Sequence, residues 1–252
     1  MPYVKFLGTG GARFVVAKQL RSSAGVLVES NERKLLIDPG PGTLARLANS
    51  RPKVNLDTVS GIILTHIHLD HSTDANVIID SIAEGGFKRK GVLFTTHEAV
   101  EGENRVILPY LLPFLERYDF LEHKKTFEEG DICFTTYRHL HSVETYGIKM
   151  DLSGKMVSFL VDTQYFDSLL EYYKGSDILI LNVVLLESRQ NIMHLSVDDA
   201  KRLINGIKPG KAILTHFGMG ILKANPLLVS QKLSQETGVE VVAAYDGMKV
   251  EI

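Results

Sequence analysis

The stretch Thr65-His66-Ile67-His68-Leu69-Asp70-His71 constrains this chain more than any other. It places four strong metal-binding side chains within six positions, directly behind the apolar run Gly61-Ile62-Ile63-Leu64. A short apolar run of that kind reads as a buried strand. Side chains two apart on extended backbone share a direction, so His66 and His68 can bind one ion. Asp70 and His71 arrive as the chain turns into the next helix and can serve a second. Neutral imidazole and carboxylate oxygen are the donors zinc takes in catalytic sites. The single cysteine, Cys133, excludes an internal disulfide and disfavours a thiolate zinc site.

Strands and helices are expected to alternate around that stretch. Residues 3–7 and 24–29 read as strands on either side of the turn Gly8-Thr9-Gly10-Gly11. That turn lacks the spacing of a dinucleotide fingerprint, and no clear amphipathic helix opens after it, so it reads as a tight turn approaching the site closely. Lys34-Leu35-Leu36-Ile37 is a buried strand ending at Asp38 and the hard turn Pro39-Gly40-Pro41-Gly42, before a short helix near 43–49. Asp38 can cap the turn, or hold a metal-binding histidine by its free ring nitrogen. Ala75, Ile78, Ile79 and Ile82 lie at helical spacing over 74–84, ended by Gly85-Gly86.

Phe87-Lys88-Arg89-Lys90 reads as a solvated loop, and His97, after the strand 91–95, as a loop histidine. Residues 98–123 contain an apolar segment, Leu108–Leu115, twice broken by proline, which suits a flap over a pocket or a subunit contact. Strands return at 131–138, at 144–151 paired with 155–161 through Ser153-Gly154, at 178–185 and at 212–215, with a helix near 166–174. Ser196 followed by Asp199 resembles a capping box for a helix over 197–206. Asn225-Pro226 opens a last helix that closes at Gly238. Asp246-Gly247 between two short strands signals a hairpin.

No linker, low-complexity tract or charge block divides the 252 residues, so one domain over 1–252 is expected. A net charge of −2 gives no electrostatic case for nucleic acid. The start Met1-Pro2-Tyr3-Val4-Lys5 lacks a signal peptide's apolar region and no run approaches a membrane span, so a cytoplasmic, non-membrane protein is expected.

His66-x-His68-x-Asp70-His71 resembles the signature of the metallo-β-lactamase-fold hydrolases, and the resemblance runs nearly end to end. It implies an α/β fold, a four-layer αβ/βα sandwich of two mixed sheets, and two divalent ions, zinc foremost and manganese as the alternative. Its ligand pattern puts His66, His68 and His141 on one ion, and Asp70, His71 and His216 on the other, with Asp162 bridging. His139 competes with His141, which is preferred because it lies further past the strand end and precedes the small polar Ser142. Asp162 stands where some zinc β-lactamases carry cysteine, and His68 where di-iron relatives usually carry an acid; both disfavour those branches.

Within the family, His194-Leu195-Ser196 and then Ile213-Leu214-Thr215-His216 resemble ribonuclease Z and its small cyclic-phosphodiesterase relatives. So do Leu7-Gly8-Thr9-Gly10 and Tyr245-Asp246-Gly247-Met248. The resemblance implies that His194, not a ligand, assists proton transfer to the leaving oxygen, with Asp70 the other catalytic residue besides its ligand role. Two departures disfavour transfer-RNA processing. Asn182 stands near where ribonuclease Z has an acid beside that histidine, where it could orient the imidazole but not stabilise its charged form. No Gly/Pro/basic-rich arm for gripping RNA is present either.

Two ions bring four positive charges, of which Asp70, Asp162 and one hydroxide remove three. The surplus suits a small anionic substrate, and a phosphodiesterase is the expected function. A ribonuclease Z-like RNA 3′-end endonuclease, a thioesterase or lactonase of the glyoxalase II type, and a non-catalytic metal-bound sensor are the alternatives. A homodimer is compatible with the sequence.

Overall fold

A computed structural model describes residues 1–23 and 25–252, so the expected strand 24–29 is followed from residue 25, its residue 24 lying outside the described residues. The first sheet contains β1 (Tyr3–Phe6), β2 (Val26–Glu29), β3 (Lys34–Ile37), β4 (Gly61–Leu64), β5 (Val92–Thr95) and β6 (Arg117–Phe120). The second contains β7 (Thr126–Glu129), β8 (Ile132–Arg138), β9 (Tyr146–Leu152), β10 (Lys155–Leu160), β11 (Ile178–Leu185), β12 (Leu195–Ser196), β13 (Lys211–Thr215) and β14 (Glu240–Ala243). The last strand, β15 (Lys249–Glu251), returns to the first sheet beside β1. The strand order is β15-β1-β2-β3-β4-β5-β6 in one sheet and β14-β13-β11-β10-β9-β8-β7 in the other, with β12 paired to β11. Each sheet is antiparallel at one side and parallel at the other: β3 through β6 run parallel, as do β10, β11, β13 and β14.

Period-two alternation explains why the central strands read as unbroken apolar runs. Leu35 and Ile37 of β3 face a core shared with Phe134, Ile148 and Phe159 of the second sheet, while Leu36 faces the opposite way. In β11, Ile180 joins that shared core, and Leu179 and Leu181 face outward. Those outward faces are covered by helices. Thr43–Ala48 and Ala75–Ile82 bury Leu47, Ile78, Ile79 and Ile82 on the first sheet. Val197–Ile207 and Pro226–Thr237 bury Leu203, Ile204 and Leu233 on the second. Strands covered on both faces have no polar side to show, hence the continuous apolar sequence. The architecture is the expected αβ/βα sandwich of two mixed sheets.

Several local readings hold for identifiable reasons. Ser153 and Gly154 both take positive φ (55° and 84°), as the tight turn between β9 and β10 requires. Asn225 caps Pro226–Thr237, which ends at left-handed Gly238. Others need correction. Asp246-Gly247 is not a hairpin turn, because β14 and β15 belong to different sheets. Its carboxylate instead ties the crossing in place, accepting from Thr9 Oγ1 at 2.6 Å, Ser22 N at 2.8 Å and Arg46 Nη2 at 3.0 Å. A six-residue helix, Ala12–Ala17, does follow the glycine turn; with four apolar residues running Phe14 to Ala17, its pattern was too short to read. Residues 98–123 hold the expected short helical piece, a 3-10 helix at Pro109–Phe114, and in addition the strand β6, which was not expected. Leu111 and Leu115 there are buried against Ile78, Ile79 and Ile82 of the neighbouring helix layer.

The helix Val197–Ile207 opens with a complete capping box. Ser196 Oγ accepts from Asp199 N, and the Asp199 carboxylate accepts from Ser196 N at 2.9 Å. Ser196→Ala should cost about 1 kcal/mol of stability, read as a lower urea midpoint at unchanged slope. A midpoint equal to wild type would mean that the cap contributes nothing.

Candidate metal centre and cleft

The strand ends carry the candidate residues. β3 delivers Asp38, β4 delivers His66 and His68, β8 is followed by His141, β10 by Asp162 and β13 by His216. Past β4, Ile67 is 8% exposed and packs into the helix-side core, which sends His66 and His68 the opposite way. The short helix Leu69–Ser72 then turns Asp70 and His71 back toward the same place.

Two groups of donors meet at Asp162, and a third, Asp38 with His66 and His71, shares a histidine with each of them. Ligand atoms of His66, His68, His141 and Asp162 lie within 4.8 Å of one another, as do those of Asp70, His71 and His216. Asp162 sits between them. Its Oδ2 is 3.8 Å from His66 Nε2, 3.4 Å from His71 Nε2 and 3.9 Å from His141 Nε2. Its Oδ1 is 3.5 Å from His216 Nε2, which is itself 3.6 Å from Asp70 Oδ2. His139, the competing histidine, is turned away: its Nε2 pairs with the Tyr173 hydroxyl at 2.7 Å. Gly147 makes room for that pair, since a Cβ there would lie 2.0 Å from the Tyr173 hydroxyl oxygen.

The outer ring nitrogens are held by the surrounding chain, while His141 Nε2 lies 3.1 Å from His68 Nδ1 at the centre. His71 Nδ1 meets Asp38 Oδ2 at 2.9 Å, and Asp38 Oδ1 accepts from Thr65 N at 2.7 Å. Thr65 Oγ1 donates to Asp38 at 2.6 Å and lies 3.0 Å from His66 Nδ1. His141 Nδ1 donates to the Met193 carbonyl at 2.9 Å. Asp38 thus touches the ring of His71 as well as the backbone and hydroxyl of Thr65. Thr65 was missed by sequence reasoning; its only signal was a hydroxyl residue at the last position before His66. Asn182, expected beside His194, instead donates to Asp162 Oδ1 at 2.9 Å. The parallel pairing of Leu160 with Leu181 sets Asn182 alongside the end of β10, which explains the difference.

Buried, unpaired nitrogens test whether cations fit here. His66 Nε2, His71 Nε2 and His216 Nε2 are buried without a hydrogen-bond partner among the described residues, and all three face Asp162. Each such orphan costs roughly 1–3 kcal/mol when left unsatisfied. Divalent ions satisfy all three at once, so the donor set fits them. The electrostatics agree at Asp162 and His66, while at His71 burial is outweighed by the neighbouring Asp162 and Asp70, which raise the pKa well above its ordinary value. Burial opposes ionisation of Asp162, yet the imidazoles of His216, His194 and His71 around it hold its carboxyl well below the ordinary range. Burial, with His71 nearby, pushes the His66 imidazole well below its ordinary value, leaving it neutral as a ligand must be.

The glycine turn completes the centre. Gly11 N donates to Phe217 O at 3.0 Å, and Phe217 N to Thr9 O at 2.8 Å. A Cβ on Gly11 would lie 2.3 Å from His216 Cδ2, so only glycine permits this approach. Beside the centre opens a cleft of about 980 Å³, lined by the helix Ala12–Ala17, by Leu69 and Asp70, by residues 184–187, Arg189 and Ile192, and by His194. His194 Nδ1 is buried, unpaired and 3.7 Å from Asp162 Oδ2, and His194 belongs to neither donor group. Burial holds its pKa below the ordinary imidazole value. His97 stacks on Phe120 with centroids 3.8 Å apart and lines no part of the cleft. Nor does the segment Leu108–Leu115.

A sequence model of the β-lactamase superfamily domain matches residues 33–217. The chain belongs to the β-lactamase superfamily. It is 32% identical to an uncharacterized protein of Methanocaldococcus jannaschii, over 98% of this chain and 94% of that protein. This superfamily member also superimposes on the metallo-β-lactamase-fold protein YhfI of Bacillus subtilis, with a TM-score of 0.82 at 19% identity, covering 100% of this chain and 99% of the other. A diphosphatase of the PhnP family gives a TM-score of 0.72 at 19% identity, covering 100% and 98%. These likenesses establish the metallo-hydrolase fold. Among the described residues, no helix is long and apolar enough to cross a membrane.

Asp38→Ala should lower divalent-metal affinity by about 10–100-fold, measured by competition with a chromophoric chelator. Unchanged affinity would mean that the Asp38–His71 contact does not orient a ligand. His139 gives a separate expectation. Burial depresses its pKa to about 3 from the ordinary 6.5. The unfolded chain then binds the extra proton between those values, so stability falls as pH drops through that window. At pH 5 the loss from this group is about 2 kcal/mol. Metal-free His139→Gln should lose correspondingly less stability than wild type between pH 7 and pH 5 in urea titrations.

Proposed function

We propose that this chain is a two-metal phosphodiesterase acting on small, including cyclic, phosphodiesters. The observation that carries the reading is His194: a half-buried imidazole whose buried Nδ1 faces the central carboxylate, outside both donor groups. In this reading His66, His68 and His141 hold one divalent ion, Asp70, His71 and His216 the other, and Asp162 spans them, with zinc favoured over manganese. Bound there, the ions would supply an acidified water and charge stabilisation for both the attacking and the leaving oxygen.

The chain's own residues do the rest. Asp162 and Asp70 fix charge at the centre, and Asn182 holds Asp162 by one oxygen. Asp38 and Thr65 fix the rings of His71 and His66. An arriving phosphoryl oxygen would be the first hydrogen-bond partner of His194 Nδ1. Its negative charge would raise the imidazole pKa that burial has lowered, so the proton is gained when substrate is present. His194 then donates it to the leaving oxygen. Arg13 and Arg189 line the same cleft beside Glu187 and can meet an anion. The similarity to a PhnP-family diphosphatase supports a small phosphorus substrate.

His194→Ala should retain fold and metal content while turnover falls by roughly 10²–10⁴. The loss should shrink for p-nitrophenolate leaving groups, which need little protonation, and be full for alkoxides. Equal losses would indicate positioning without proton donation; loss of an ion would make His194 a ligand. Elemental analysis after reloading should find two ions per chain, and Asp162→Ala should lose both. Assays against bis(p-nitrophenyl) phosphate, a precursor RNA, a thioester and a lactone separate the endonuclease, thioesterase and lactonase alternatives. A metal-loaded chain inert toward all of them would be a sensor.

A further inference from the structure

The proton-transfer reading leaves one feature of the cleft unused. Its wall is apolar and stands in solvent: Phe14 is 64% exposed and Leu69 73%, with Leu186 and Ile192 exposed beside them. Leu69 lies between His68 and Asp70, so the apolar wall begins at the reacting centre itself. The cleft's lining runs from this wall to Asp162 and His194 without leaving it. Arg13, Arg189 and Glu187 share the lining, and among the described residues neither guanidinium has a carboxylate within 4.0 Å. An occupant that satisfies both properties is anionic at the end near the metals and apolar along the wall.

We propose that the substrate is a phosphodiester with one apolar ester group, alkyl or aryl, lying along Phe14, Leu69, Leu186 and Ile192. This rests on the phosphodiesterase reading and narrows it. Exposed apolar side chains gain when an apolar group covers them, and the gain grows with the area covered. The two arginines, unpaired in the free protein, contribute attraction to the phosphoryl charge whatever the ester group. Chain length and charge are therefore read by different residues.

The test is calorimetric titration of the zinc-loaded protein with methyl, butyl and hexyl phosphate, beside turnover of the matching alkyl p-nitrophenyl phosphates. Each methylene laid on the wall should tighten binding by about threefold, or about 30-fold from methyl to butyl. The heat-capacity change should become more negative with chain length. Phe14→Ser combined with Ile192→Ser should flatten that dependence; both positions are exposed, and an unchanged melting temperature verifies the fold. Arg13→Gln should weaken all three phosphates by a similar factor. Affinity and turnover that ignore chain length would overturn this inference while leaving the phosphodiesterase reading intact. Chain-length-dependent binding without turnover of any diester would overturn the reaction and keep the ligand class. A double variant that loses affinity equally for all three phosphates would show the wall to be scaffolding, and would also overturn the inference.

Discussion

Placing the carboxylate of Asp162 at 2% exposure inside a ring of imidazoles is the arrangement on which the rest of the site depends. Four histidine nitrogens lie within 4.0 Å of one of its oxygens, and a fifth lies near the other. Those rings cannot all carry protons, because at such separations like charges in a poorly solvated interior repel strongly. Nor can they all remain neutral without leaving buried nitrogens unpaired. Protons settle the conflict only partly: burial works against charge on His71, but Asp162 and Asp70 raise its pKa well above the ordinary value, while those of His66 and His68 fall. Divalent ions would resolve it for His66, His71, His141 and His216 together, leaving His194 outside the donor groups, which accounts for so many histidines converging on one acid.

Holding that arrangement costs backbone strain. Asp38 and His216 take positive φ, 49° and 58°, immediately after β3 and β13. For residues other than glycine such conformations cost of order 1–3 kcal/mol each. The strain is sustained by what surrounds it. Asp38 is fixed by three hydrogen bonds, and His216 is backed by the Gly11 backbone. Parallel strands buried on both faces supply the stiffness behind these turns.

How much of this was legible depended on whether a residue's partner was near in sequence. The strands, their buried faces and the cap at Ser196 follow from local periodicity and local hydrogen bonding, so they could be read directly. His66, His68, Asp70 and His71 announced themselves by spacing. His141, Asp162 and His216 needed the family resemblance, because nothing near them in the chain marks them as neighbours of His66. Asn182 was placed at the right strand but beside the wrong partner, since strand register, not composition, decides which atom its amide meets. The helix Ala12–Ala17, the apolar wall and the unpaired arginines were not legible at all. Their roles exist only once residues 12–17, 69, 184–187, 189 and 192 are folded into one cleft.

The return of β15 to the first sheet bears on how such a chain matures. β1 pairs with β2 on one side and with β15 on the other, and Val4 meets Val250 across that last ladder. During synthesis the first sheet therefore carries an open edge until nearly the whole chain has emerged, while His66 through His71 are already made. His216, from the far half, is seated against the glycine turn at the other end of the sequence. Both donor groups reach full strength only after the two halves have docked. A chain made only as far as His71 thus holds an incomplete set of donors for either group, because His141, Asp162 and His216 come from the later half.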